Sequence, residues 1–128
     1  MTVPFKIAII DDEIHIRALL EQTLEDLDGE PEIHIAANGL EGLALIQREQ
    51  PQLVFLDVMM PLMNGYEVCT AVRENPALTK TTIVMLTAKG QESDRTRGLD
   101  VGAHHFVTKP FDPDEILAIA EKIKAAAS

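Results

Sequence analysis

The chain has 128 residues, a length that predicts one domain over residues 1–128 and that can bury a core without disulfides or structural metals. Its formal net charge of −10 argues against nucleic-acid binding, because phosphate contacts require a basic face. No apolar stretch has the length of a membrane span, and the single cysteine, Cys69, cannot form an internal disulfide; together these features favour a cytoplasmic protein.

Five short apolar runs alternate with amphipathic segments along the chain. The runs are residues 5–10, 32–36, 52–56, 82–86 and 104–107. The first, third and fourth are almost continuously apolar, which is typical of central strands covered on both faces. The second alternates polar and apolar residues, which predicts an edge strand. Five such βα units predict an α/β fold with a doubly wound, five-stranded parallel sheet.

The segments between the runs are predicted helices. Their apolar stripes are Ile16, Leu19, Leu20, Leu24 and Leu27 in the first helix, and Leu40, Leu43 and Ala44 in the second. Asn64 is a predicted cap for the third helix, and Asp112 is one for the last helix, which Pro113 begins. The segment 90–101 carries few large apolar residues, so we expect a fourth helix that is weakly held and free to shift.

Polar side chains follow four of the five runs. They are Asp11 and Asp12 after the first, Asp57 after the third, Thr87 after the fourth and Lys109 after the fifth. Ligands of open parallel sheets bind at the carboxyl ends of the strands, so we expect these side chains to lie close together. Three clustered carboxylates repel one another and recruit a hard divalent cation, which predicts a Mg²⁺ site.

The same residues favour phosphoryl-transfer chemistry. A carboxylate such as that of Asp57 can act as a nucleophile and form an aspartyl phosphate. The metal and Lys109 would neutralise charge on the phosphoryl oxygens, and Thr87 could donate a hydrogen bond to one of them.

The residues at these strand ends resemble the response regulator receiver family of two-component signalling. The resemblance rests on residues 9–13, 56–65, 86–88 and 107–111. It implies a flavodoxin-like (βα)5 fold with strand order 2-1-3-4-5. It also implies that Asp57 takes a phosphoryl group from a phosphohistidine of a sensor kinase or phosphotransfer protein. The chain would then be no enzyme beyond catalysing its own phosphorylation and dephosphorylation.

The resemblance further implies the ligands of the metal. Asp12 and Asp57 would bind Mg²⁺ directly, Asp11 chiefly through water, and Met59 through its backbone carbonyl. Lys109 would pair with the phosphate, and its peptide bond to Pro110 would be cis.

The resemblance also implies a switch. Thr87 would supply its hydroxyl, and Phe106 would be the aromatic ring that swings inward when Thr87 moves. Met59 and Lys89 would flank the path of the hydrolytic water. Neither side chain can orient that water as an amide or a carboxylate would, so we expect a long-lived phosphorylated form.

We expect the chain to be a monomer or weak dimer and to pass on its signal by binding a downstream protein. The expected surface comprises the fourth helix, fifth strand and fifth helix, around Lys89, Arg95, Arg97, Phe106 and Lys122. His104 and His105 are interpreted as partner-surface residues.

Other interpretations remain open at this point. The chain could be a stand-alone regulator, a receiver excised from a larger regulator, or a receiver that acts only as a scaffold. A Mg²⁺-dependent phosphatase of the haloacid dehalogenase type would need an acid where Met59 stands. A flavodoxin-like FMN protein would need a hydroxyl- and glycine-rich first loop rather than Asp-Asp-Glu.

Overall fold

Five parallel strands form a single sheet in the computed structural model, which describes residues 4–88 and 100–127. The strands are β1 (Lys6–Ile10), β2 (Glu32–Ala36), β3 (Leu53–Asp57), β4 (Thr82–Ala88) and β5 (His105–Lys109). Their order is β2-β1-β3-β4-β5. The predicted strand order and the edge position of the second run are therefore confirmed.

Helices cover both faces of the sheet. They are α1 (Ile14–Leu24), α2 (Gly39–Glu49), α3 (Gly65–Glu74) and a C-terminal helix (Pro113–Ala127), with a 3₁₀ turn at Pro76–Leu78. The weakly held fourth helix predicted over 90–101 lies almost entirely outside the described residues. Among the described helices, none combines the length and apolarity needed to cross a membrane.

Alternate residues of the central strands enter two separate cores. Ile9 and Phe55 pack with α1 and the C-terminal helix, whereas Ile10 and Leu56 pack with α2 and α3. Successive strand residues point to opposite faces, so a strand covered on both sides must be apolar throughout. This explains why β3 is buried along its whole length.

Side-chain caps fix where two helices begin. The Asn64 side chain accepts a hydrogen bond from the Glu67 backbone N–H at 2.9 Å, and the Glu67 carboxylate accepts one from the Asn64 backbone N–H at 3.1 Å. The Asp112 carboxylate accepts a hydrogen bond from the Asp114 N–H at 2.9 Å. Both predicted caps are confirmed, and each satisfies a backbone N–H that the helix itself cannot.

The apolar stripe predicted for α2 is wrong at Leu40 and Ala44, whereas Leu43 does pack against the core. Leu40 is 53% exposed and Ala44 is also exposed, whereas the buried residues of α2 are Gly39, Gly42, Leu45 and Ile46. A Cβ atom at Gly42 would lie 2.6 Å from the Ile10 side chain, so the helix backbone itself approaches the sheet. The contact face of α2 therefore combines Gly42 with the large residues Leu45 and Ile46. In α1, Leu19 of the predicted stripe is likewise exposed.

Candidate functional site

Neighbouring strands bring the predicted site residues to one edge of the sheet. Asp57 is the last residue of β3, Asp11 follows the last residue of the adjacent β1, and Lys109 is the last residue of β5. Thr87 lies near the end of β4 and pairs with Thr108 of β5. Parallel strands end on the same side, so these side chains lie at one end of the sheet. We call the cluster of Asp11, Asp12, Glu13, Asp57 and Lys109 the acidic pocket.

One ammonium group bridges two carboxylates in the acidic pocket. Lys109 Nζ lies 2.8 Å from Asp11 Oδ2 and 3.3 Å from Asp57 Oδ1. A third carboxylate, that of Glu13, accepts from the same Nζ at 3.3 Å. Lys109 therefore partly neutralises a cluster that would otherwise carry only negative charge.

The residues in and beside the acidic pocket differ in their exposure to solvent. Asp11 is 0% exposed, Asp57 is 5% exposed and Thr87 is also buried, whereas Asp12 is exposed. The buried carboxylates are held away from water and the exposed ones border the solvent. A ligand entering from solvent therefore meets the exposed carboxylates, Asp12 and Glu13, before the buried groups.

Burial also shifts the pKa values of the charged groups. It is the main cause that raises the pKa of Asp57 to about 7, and the negative charge of Asp11 adds to it against the attraction of Lys109. Burial likewise raises the pKa of Asp11, with Lys109 opposing. Burial alone would lower the pKa of Lys109, but its carboxylate neighbours outweigh that effect and raise it. The Lys109 ammonium therefore stays charged at neutral pH, whereas the Asp57 carboxyl is only partly ionised.

The loop after β1 is held by contacts that sequence reasoning missed. Asp11 Oδ1 accepts a hydrogen bond from the Glu13 N–H at 2.8 Å, and the Asp11 carbonyl accepts one from Arg17 Nη1 at 2.8 Å. Glu13 belongs to the acidic run Asp-Asp-Glu, which is evident in the sequence. No sequence pattern indicated a role for Arg17. These bonds fix Asp11 where α1 begins.

Gly65 is a second position that sequence reasoning missed. A Cβ atom there would overlap the carbonyl oxygen of Asp57, so the start of α3 lies directly on the end of β3. The Gly65 N–H donates to the Val58 carbonyl at 2.9 Å. Only a residue without a side chain permits this approach.

The oxygen donors of the acidic pocket fit a hard divalent cation such as Mg²⁺. Carboxylate oxygens of Asp11, Asp12, Glu13 and Asp57 lie within 4.8 Å of one another. Asp11 Oδ2 is fully buried and, among the described residues, has no well-aligned hydrogen-bond donor, so its pairing with Lys109 is electrostatic. An oxygen in that position has coordinating capacity to spare, and carboxylates are the ligands that Mg²⁺ takes in proteins.

The remaining predicted residues are placed as follows. Met59 is 67% exposed at the rim, and Phe106 is partly buried against the core that α2 and α3 cover. Lys122 is exposed on the C-terminal helix. The predicted cis peptide between Lys109 and Pro110 is confirmed. Lys89, Arg95 and Arg97 lie outside the described residues.

Comparison with known proteins identifies the family. A family model described as the response regulator receiver domain matches residues 7–121. The chain is 46% identical over 113 residues to a Cyanophora paradoxa protein named "Probable transcriptional regulator ycf27", which covers 88% of this chain and 45% of that protein. It is 37% identical over 125 residues to response regulator Rre1 of Synechocystis, covering 98% of this chain and 54% of that protein.

A solved structure supports the same family. Chemotaxis response regulator CheY4 of Vibrio cholerae matches with a TM-score of 0.84 and 34% identity, covering 94% of this chain and 99% of that one. By contrast, the chain spans about half the length of the curated relatives it matches.

Proposed function

Since this chain belongs to the response regulator receiver domain family of two-component signalling, we propose that it is a phosphorylation-dependent switch whose phosphoacceptor is Asp57. The observation that carries the proposal is the Asp57 carboxylate. It is buried at the end of β3, and one of its oxygens lies 3.3 Å from the Lys109 ammonium within a cluster of metal-binding oxygens. In this family, the aspartate in this position receives its phosphoryl group from a histidine kinase or a phosphotransfer protein. We propose the same phosphodonors for this chain.

The chemistry of the step is a displacement at phosphorus. An Asp57 carboxylate oxygen attacks the phosphorus of a phosphohistidine, the new P–O bond forms, and the P–N bond breaks with its electron pair on the imidazole nitrogen. The product is a mixed anhydride. Asp57 must be ionised to attack, so its weakly held charge makes the step sensitive to pH.

Other residues of the acidic pocket assist by charge. Lys109 Nζ pairs with the phosphoryl oxygens as negative charge builds up on them, and the buried Thr87 hydroxyl donates a hydrogen bond to the attached group. Asp11, Asp12 and Asp57, with the Met59 carbonyl, would hold Mg²⁺, which supplies positive charge to the phosphoryl oxygens when bound.

The output is a change in partner binding. When Thr87 engages the phosphoryl group, the strand that carries it moves, and Phe106 on the neighbouring β5 repacks against the core of α2 and α3. The proposed surface that reports this change comprises β5 and the C-terminal helix, around Phe106 and Lys122. Lys89, Arg95 and Arg97, which the sequence assigns to the same surface, lie outside the described residues. We propose that a downstream protein binds this surface and that the protein is cytoplasmic. We also propose that Met59 and Lys89 set the lifetime of the aspartyl phosphate.

A small phosphodonor tests the assignment without the cognate kinase. Incubation with acetyl phosphate and Mg²⁺ should add one phosphoryl group by intact-mass analysis, and Asp57→Asn should add none because its amide is not a nucleophile. Asp26→Asn is the matched control, since it makes the same change at an exposed position outside the pocket. Labelling of Asp57→Asn at the wild-type level would overturn the assignment.

A further inference from the structure

A second cluster of metal-ligating side chains lies at the opposite end of the sheet. Glu32 and His34 are two residues apart on β2, so their side chains share the face that α2 covers. Glu49 is the last residue of α2. His34 Nε2 lies 2.8 Å from Glu32 Oε1 and 3.6 Å from Glu49 Oε1. We call these three residues the β2 cluster.

The spacing of the donor atoms suits a small metal ion. One ligand atom from each residue lies within 4.8 Å of the other two. In a tetrahedral zinc site, two ligands at 2.0–2.1 Å from the metal are about 3.3 Å apart, which falls between the two distances measured from His34. The three side chains are 20–41% exposed, so they are partly ordered by packing and remain accessible to an ion from solvent.

The donor types select a different cation from the one that suits the acidic pocket. An imidazole nitrogen with two carboxylates is a zinc-type ligand set, whereas Mg²⁺ prefers oxygen alone. Neighbouring cations hold the Glu49 carboxylate in place: Arg48 Nε lies 2.9 Å from its Oε2, and Lys6 Nζ lies 3.3 Å from its Oε1.

Lys6 is the group that a cation must displace. Its Nζ lies 3.3 Å from Glu49 Oε1, the same oxygen that His34 approaches. Lys6 stands beside Glu32 in the register of β1 and β2, so its ammonium lies over the cluster. A metal ion and the ammonium would compete for one carboxylate oxygen.

We propose that Glu32, His34 and Glu49 form a binding site for a transition-metal cation of the Zn²⁺ type, with Lys6 occupying it in the absence of metal. The site joins the edge strand β2 to the end of α2. A metal bound there ties the edge strand β2 to the end of α2, and it stabilises the folded state by mass action.

Zn²⁺ titration by calorimetry, with Mg²⁺ in excess so that oxygen-only sites are occupied, tests the site. His34→Gln and Glu49→Gln should each weaken Zn²⁺ binding by about tenfold or more, because each removes a ligand. Lys6→Gln should tighten it, because it removes the competing cation. His105→Gln is the matched control, since that histidine lies on β5 at the other edge of the sheet.

Opposite effects of the Lys6 and His34 variants are the signature of the site. Thermal unfolding without metal verifies that each variant is folded. Wild-type protein that binds no Zn²⁺ under these conditions would overturn the proposal. Equal losses in His34→Gln and His105→Gln, or an unchanged affinity in Lys6→Gln, would also overturn it. None of these measurements depends on phosphorylation, so the two proposals stand or fall separately.

Discussion

The Asp57 carboxyl is both the proposed nucleophile and a source of instability. Burial and the charge of Asp11 raise its pKa from the ordinary 3.8 to about 7, against the attraction of Lys109. A carboxyl with a raised pKa binds more protons in the folded state than in the unfolded state. The unfolding free energy therefore decreases as the pH rises from about 4 to about 7. Asp11 acts in the same direction.

We predict that Asp57→Asn stabilises the metal-free protein at alkaline pH. Removing a buried charge should raise the unfolding free energy by roughly 1–3 kcal/mol near about pH 8, with a smaller difference near about pH 5, where the wild-type carboxyl is already protonated. Urea unfolding in EDTA at the two pH values measures it, with the exposed Asp26→Asn as control. A lower stability of Asp57→Asn at the alkaline pH would contradict this account.

Some site residues could be inferred from the sequence and others could not. Strand ends that carry acids and a lysine are visible as letters, because a parallel sheet aligns its carboxyl ends. Arg17 could not be inferred, since its contact is with a backbone carbonyl. His104, interpreted as a partner-surface residue, is exposed, yet its Nδ1 also accepts a hydrogen bond from the Ile83 N–H at 3.2 Å.

Among the helices, α2 and α3 approach the sheet through glycine. The sequence predicted that both helices exist and where α3 is capped, because caps and apolar spacing are local signals. It did not predict the whole contact face of α2, because Gly42 carries no hydrophobic signal although its backbone packs on Ile10, whereas the larger Leu40 is exposed. A close contact between backbones requires a glycine, and that glycine is the only sign of the contact in the sequence.

We predict that Gly65→Ala impairs phosphorylation as well as folding. The added methyl group would overlap the Asp57 carbonyl, so relief requires α3 and the end of β3 to move apart. The unfolding free energy should decrease by about 1–3 kcal/mol, and the rate of labelling by acetyl phosphate should also decrease.

Gly102→Ala provides the comparison for Gly65→Ala. Gly102 has a φ of +94° and lies before β5, at the end of the sheet away from the acidic pocket, so alanine there should cost stability but leave the labelling rate unchanged. Equal labelling rates for the two variants would show that the Gly65 contact does not position Asp57.

Negative charge acts on the whole molecule in two ways: through the net charge of the entire surface and through the carboxylates clustered in the acidic pocket. A formal charge of −10 repels itself over the entire surface, and any salt screens that repulsion. The four carboxylates of the acidic pocket add a local repulsion that only a coordinated cation relieves fully. The two effects differ in ion specificity, so they can be separated by comparing salts.

We predict that MgCl₂ raises the Tm of the wild-type protein more than NaCl does at the same ionic strength. Screening contributes equally from both salts, whereas binding adds about 1.4 kcal/mol when free Mg²⁺ is about ten times its Kd. At this chain length that corresponds to an increase in Tm of about 3–6 °C. Asp12→Asn should lose the excess from MgCl₂ while keeping the NaCl response, because Asp12 is a proposed ligand whose exposed side chain contributes little to packing. Calorimetric scans of both proteins in both salts provide the measurement. Equal Tm values for the wild type in the two salts would mean that the acidic pocket responds to Mg²⁺ only as part of the general surface charge.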